Sequence, residues 1–192
     1  MDAALDEEMR ALVSKQAITE LIYRMARAVD RCDADLMRGL FHADATDDHG
    51  MFRGTAADFV PWVMGVLANM RLTQHMIGNI LIELDGDQAR AETYFIAHHL
   101  IAAEKSGIFL AAEAGAPDQF MVAGGRYLDR FERRDGAWRF SHRHAVFDWN
   151  AEAPATDKWD RPALAGWVFG ERGPGDASYA NFAGGSAGDR QD

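Results

Sequence analysis

The chemistry open to this chain rests on its histidines, one arginine in an apolar stretch and a few carboxylates. His75 lies between Leu72 and Met76-Ile77 in the run TQHMIGNILIEL. A neutral imidazole can accept a proton near neutral pH, and a neighbouring carboxylate can fix its tautomer and stabilise its charged form. Asp30 closes the apolar run LIYRMARAV. A carboxylate near a helix C-terminus opposes the helix dipole, so it does not stand there for helix stability. Each residue also has a plainer reading, as a hydrogen-bonded core histidine and as a solvated acid at a helix end. They lie far apart along the chain, and spacing alone does not pair them.

His98 and His99 fall in a second strand-like stretch. Strand alternation puts Tyr94, Ile96 and His98 on one face and Phe95, Ala97 and His99 on the other, so one of the two histidines can reach a pocket. Arg143 sits between His142 and His144 in a strand that ends AVFDW. Turned inward it needs an anionic partner or a polar substrate group; turned outward it is an ordinary surface charge. His142 and His144 share a strand face, with His42 and His49 as further candidates. No such pattern stands beside a carboxylate in a familiar metal-binding arrangement, and no metal is expected. Cys32, the sole cysteine, has no histidine beside it and reads as a buried or idle thiol. There is no Gly-rich phosphate loop and no GxSxG elbow.

The elements that would carry these residues are legible in the period of the pattern. Residues 4–31 read as a helix, with Leu12, Val13, Ile18, Leu21, Ile22, Met25, Ala26 and Val29 recurring at spacings of three and four. Asp33 can cap a second short helix. HADATDDHGMFRG is polar and loop-like, with room for a short strand at its start. Thr55 can cap a third helix, which Pro61 would kink or restart. The period then changes. Thr73–Leu84, Ala89–Ala103, Gln119–Arg133 and Ala137–Trp149 read as strands. Asp85-Gly86-Asp87 and Arg134-Asp135-Gly136 make turns, and Gly124-Gly125 a bulge or bend. Residues 104–118 read as an inserted loop. Helices followed by antiparallel hairpins make an α+β fold.

One domain over residues 1–150 suits the length of 192 residues, and 48% hydrophobic composition excludes a disordered chain or a fibre. Residues 151–192 are richer in Pro, Gly and Asp, yet carry Trp159, Trp167, Phe169, Tyr179 and Phe182. They read as an arm that packs on the domain or on a neighbouring subunit, with only GGSAGDRQD disordered. A formal net charge of −10 argues against nucleic acid as a partner. No apolar run is long enough to span a membrane, no secretory signal opens the chain, and a lone cysteine fits a cytoplasmic protein.

Three segments carry a resemblance. SKQAITELIYRMARAVDRCDADLMRGLFHADA, TQHMIGN and GGRYLDRFERRDGAWRFSHRHAVFDW resemble, in order and spacing, the SnoaL-like family of the nuclear-transport-factor-2-like superfamily. Its members include scytalone dehydratase, the bile acid dehydratase and hexachlorocyclohexane dehydrochlorinase. The resemblance implies a cone-shaped α+β barrel, a curved antiparallel sheet wrapped around N-terminal helices, with a pocket at the wide end and no metal or organic cofactor. It makes Asp30 and His75 a proton-abstracting pair. It places Arg143 at the pocket from the last strand and makes His98, by parity, the match to a second histidine. Where relatives have a lysine or tyrosine five residues before the Asp, this chain has Met25; Tyr23 is the nearest substitute on the same helix face.

The function so implied is a cofactor-free lyase. His75 would take a proton from a small hydrophobic, aromatic substrate, while Arg143, His98 or Tyr23 helps a small group leave. Pocket walls would come from Met25, Phe52, Trp62, Met64, Leu67, Tyr94, Ile96 and Phe147. A narrower version releases formaldehyde from a lignin-derived diaryl propanediol. The rivals are a non-catalytic subunit, like the small subunit of ring-hydroxylating dioxygenases, and an isomerase or polyketide cyclase on the same scaffold. A trimer or dimer of identical chains is the expected assembly.

Overall fold

The computed structural model describes residues 3–103, 117–158 and 161–182. The body of the expected inserted loop, Trp159 and the closing GGSAGDRQD lie outside them. Helix α1 spans Ala3–Asp30, α2 Ala34–Leu40 and α3 Ala56–Leu67. Strands β1 (Phe41–Asp48), β2 (Arg53–Thr55), β3 (Met70–Asp85), β4 (Gln88–Ile101), β5 (Gln119–Arg134) and β6 (Ala137–Pro154) form one sheet, ordered β2-β1-β6-β5-β4-β3. Every pairing is antiparallel except that of β1 with β6. The fold is α+β, a curved open sheet wrapped around the helices.

The α1 stripe works as its spacing requires: Ile18, Ile22, Met25 and Ala28 are fully buried. They meet Met37 and Leu40 of α2, Phe59, Val60 and Val63 of α3, and Phe131 and Phe140 of the sheet. Leu12 and Val13, expected on the same stripe, are instead exposed, because the buried part of α1 begins only at Ser14. At the other end Cys32 takes a left-handed φ of 53° and reverses the chain. Asp33 then accepts the Leu36 N–H at 2.9 Å and starts α2.

Thr55 begins α3 in the same way. Its hydroxyl accepts the Asp58 N–H at 3.2 Å and donates to the Asp58 carboxylate at 2.7 Å. Thr55→Ala is expected to lower stability by about 1 kcal/mol, read as a lower midpoint in urea with an unchanged slope. Pro61 lies inside α3, and the helix is continuous across it, short only of the hydrogen bond that proline has no N–H to donate.

The polar stretch HADATDD is a full strand, not a loop. Its backbone is bonded on both sides, antiparallel to β2 and parallel to β6, where Asp47 stands opposite Arg143. Its alternation buries Phe41, Ala45 and Asp47 and turns Asp44 and Thr46 outward. The hairpin turn at Asp135-Gly136 has positive φ at both residues, 51° and 80°, as a tight primed turn needs. The β5–β6 register slips between Gly124 and Gly125. A side chain at Gly125 would meet the Val146 carbonyl at 2.1 Å, so the sheet can bend this sharply only over glycine.

Beyond β6, residues 171–182 dock on the C-terminal end of α1 and the turn after it. Asp176 accepts from Arg31 at 2.7 Å and from the Glu171 N–H at 2.9 Å. The Tyr179 hydroxyl donates to Asp33 at 2.7 Å, and Arg27 lies 4.6 Å over the Tyr179 ring. Trp167 and Phe169 remain exposed. Strand β6 itself runs to Pro154, past the boundary expected at residue 150.

Candidate active site

The last residue of α1 faces the sixth residue of β3. Asp30 Oδ1 lies 2.7 Å from His75 Nδ1, and Asp30 Oδ2 accepts the His75 backbone N–H at 2.9 Å. The two side chains are 12% and 9% exposed. A carboxylate that grips both the backbone and the ring of one residue fixes that ring in orientation. An ionised carboxylate only accepts, so the proton on the His75 ring sits on Nδ1. Nε2 is left with its lone pair, as a general base requires.

His75 lines a cavity of about 200 Å³ with mostly apolar walls. Met25, Trp62, Leu67 and Phe147 are among those walls, together with Phe59, Phe95 and Tyr127. Phe95 and Tyr127 stack at 4.3 Å between ring centroids. Burial pushes the Tyr127 phenol well up, so it stays neutral.

Other sequence-derived candidates lie elsewhere. Tyr94 and Ile96 are 46% and 41% exposed, on the outer face of β4. His98 shares that face, near Phe120 at 5.7 Å, and does not line the cavity. Alternation divides the strand correctly, but Phe95, Ala97 and His99 form its inner face. Tyr23 is 51% exposed: seven residues make two turns, about 10.5 Å along the helix, so it shares an angle with Asp30 and not a cavity. Phe52 and Met64 pack against the core behind the walls. Phe52 stands behind two of the wall rings, Trp62 at 5.2 Å and Phe59 at 5.5 Å.

Of the two β4 histidines, His99 and not His98 lines the cavity. Its ring meets that of His75 edge-on at 5.9 Å, and its Nδ1–H donates to the Met121 carbonyl at 3.3 Å. Burial, with His75 beside it acting in the same direction, pushes His99 from 6.5 down to about 4. A histidine held neutral binds its proton later in the folded than in the unfolded chain. Stability should therefore fall as pH drops from about 6.5 towards 4, by at most about 3 kcal/mol from this residue. Urea unfolding at pH 7 and pH 5 should show the loss, and His99→Phe should make it shallower.

Arg143 is inward, only 4% exposed, and lines the cavity. Its Nε and Nη2 donate to the two oxygens of Asp129 at 2.9 and 2.8 Å. Its guanidinium lies 4.1 Å over Tyr127 and 4.8 Å from Phe140. Burial raises the Asp129 pKa while Arg143 works against that shift, and Arg143 itself stays charged. Asp129 is the anionic partner that an inward arginine requires.

His49 also lines the cavity, stacked on Phe59 at 5.0 Å and held by Asp47 at 2.8 Å. His49 directly follows β1, and its ring is set there by the bond to the buried Asp47 two residues before it.

A family model described as a SnoaL-like domain matches residues 10–144. Rv2910c, an uncharacterized protein of Mycobacterium tuberculosis (strain ATCC 25618 / H37Rv), is 26% identical over 149 residues, which are 74% of this chain and 93% of the relative. Hexachlorocyclohexane dehydrochlorinase LinA type 2 matches with a TM-score of 0.66 at 19% identity, over 81% of this chain and 98% of its own. A protein of Novosphingobium aromaticivorans DSM 12444, proposed to be a scytalone dehydratase, matches at 0.61 and 21%, over 76% and 91%. Kfla4162 of Kribbella flavida matches at 0.64 and 22%, over 73% and 95%. At such identities the solved structures speak for the fold alone.

Proposed function

The chain belongs to the SnoaL-like domain family, and on that premise we propose that it is a cofactor-free lyase acting on a small hydrophobic, aromatic substrate. The observation that carries this reading is the Asp30 carboxylate holding both the ring and the backbone of His75 at the wall of an apolar cavity. His75 Nε2 takes a proton from the substrate, and Asp30 orients the ring and compensates its charge. The fixed charge of Arg143 faces negative charge that develops as the leaving group departs.

The leaving group is hydroxide in the simplest case. In a diaryl propanediol the same base would start from a hydroxyl: C–C cleavage releases formaldehyde, and its electron pair expels the neighbouring hydroxide. A homo-oligomer, trimer or dimer, belongs to this reading. Its support is the exposed apolar patch of Met76, Tyr94 and Ile96 on the outer sheet face, where Met76 and Ile96 pair directly.

The test is turnover. Purified protein incubated with hydroxylated aromatic and steroid-like compounds and a diaryl propanediol should convert at least one. The product is read as new conjugated-alkene absorbance or as formaldehyde. Stoichiometric binding of these compounds with no product from any of them would instead favour a binding protein.

A further inference from the structure

The cavity holds a second carboxylate–imidazole pair that the reading above leaves unused. Asp47 is 1% exposed and holds His49 Nδ1 at 2.8 Å through Oδ1. Its other oxygen, Oδ2, is buried with no hydrogen-bond partner. The charge of Arg143, opposite Asp47 on β6, acts on this carboxylate, but no hydrogen bond fills Oδ2, and an unfilled buried acceptor costs stability. His49 in turn stacks on Phe59 at 5.0 Å, with Tyr127 at 6.1 Å and Phe147 at 6.4 Å. All three rings line the same cavity as His75.

The topology sets the two pairs apart. His49 follows β1 and His75 lies in β3, and the sheet order places β6, β5 and β4 between those strands. The two imidazoles therefore enter one cavity from opposite flanks of the curved sheet. Loss of hydroxide from a substrate needs both a base at the C–H bond and an acid at the departing oxygen, because hydroxide itself is a poor leaving group.

We propose that His49, oriented by the buried Asp47, is the proton donor of this cavity and protonates the leaving oxygen while His75 takes the proton from carbon. This rests on the elimination reading above. The cycle starts with His75 neutral and His49 carrying protons on both nitrogens. The C–H bond breaks to His75 Nε2, and its electron pair becomes the new C=C bond. The C–O bond breaks with its pair to oxygen, and the proton on His49 Nε2 converts the departing group to water. His75 ends charged and His49 neutral, and exchange with solvent restores both.

A change of leaving group separates donor from base. The probes are 4-hydroxy-4-phenylbutan-2-one, which must expel hydroxide, and its 4-chloro analogue, whose chloride needs no proton. His49→Gln should lose about 10²-fold or more on the hydroxy probe and change less than about threefold on the chloro probe. His75→Gln should lose both. Asp47→Asn should repeat the selective loss in milder form, which keeps the test open if His49→Gln folds poorly. Equal losses on both probes, or none on either, would overturn the donor role.

A second arm needs no turnover. Titrating unreactive 4-phenylbutan-2-one into protein labelled with ¹⁵N-histidine should shift the Nε2 signals of both His49 and His75. An unmoved His49 signal overturns the proposal. Failure of the wild type on both reactive probes, or full activity of His75→Gln, counts instead against the elimination reading itself.

Discussion

His75→Ala is expected to reduce turnover of any substrate found for this protein by about 10²- to 10⁴-fold, the usual contribution of a positioned general base. Its melting temperature should stay within a few degrees of the wild type. The two halves of that expectation come from different atoms. The Nδ1 bond and the Nε2 lone pair vanish with the ring, but the Asp30 carboxylate keeps the backbone N–H at position 75, at 2.9 Å in the wild type. That backbone bond continues to tie the end of α1 to β3. Asp30→Asn is the informative companion. The amide is the same size and still accepts from the ring, but carries no charge to balance an imidazolium. A smaller loss than in His75→Ala, with binding of unreacted substrate little changed, is expected if Asp30 acts through His75. Single-turnover kinetics on both variants measure this directly. Full activity in His75→Ala would remove the base from the mechanism.

Much of the scaffold around this pair is legible in the amino-acid pattern, because it is local. Ile18, Ile22 and Met25 recur at helical spacing and are buried, and Asp135-Gly136 has the chemistry of the turn it makes. What escapes is decided by distant partners. HADATDD carries few apolar residues, yet it is a strand because β6 and β2 satisfy its backbone on both sides. Misreading it as a loop hides the Asp47–His49 pair entirely. In β4 the alternation is visible but its direction is not. Tyr94 and Ile96 look as well suited to an interior as Phe95 and Ala97, and only the curvature of the sheet selects the second set and, with it, His99. The pairing of Asp30 with His75 has no local signature at all, since it joins a helix end to a strand in another part of the chain. A resemblance supplied it as an expectation, and the hydrogen bonds give it a geometry. The partner of Arg143 was likewise open, although LDRFERRDG places Asp129 on the neighbouring strand, where the register sets it opposite Arg143.

That partnership carries the largest expected effect on stability. Asp129→Ala leaves the Arg143 guanidinium at a site 4% exposed, between Tyr127 and Phe140, with no counter-charge from its former partner. Breaking a buried pair on one side typically costs about 3–5 kcal/mol. Whole domains are stable by only about 5–15 kcal/mol, so the variant should unfold at far lower urea or be recovered largely insoluble. The opposite deletion should be milder, because the two groups differ in what they can do when abandoned. Arginine cannot shed its proton, whereas a carboxylate can take one up. Burial already raises the Asp129 pKa against the pull of Arg143. In Arg143→Met that opposing pull is gone, and Asp129 folds most readily with its proton on. A group whose folded pKa lies above its unfolded value favours the fold at low pH and loses that contribution as pH rises. Arg143→Met should therefore be closer to wild type near pH 5 than near pH 8. Removing both charges, as Asp129→Leu with Arg143→Met, should recover most of the loss seen in Asp129→Ala. Equal damage from the two single deletions, with no dependence on pH, would mean that the pair is held by packing of the Arg143 stem and not by its charge.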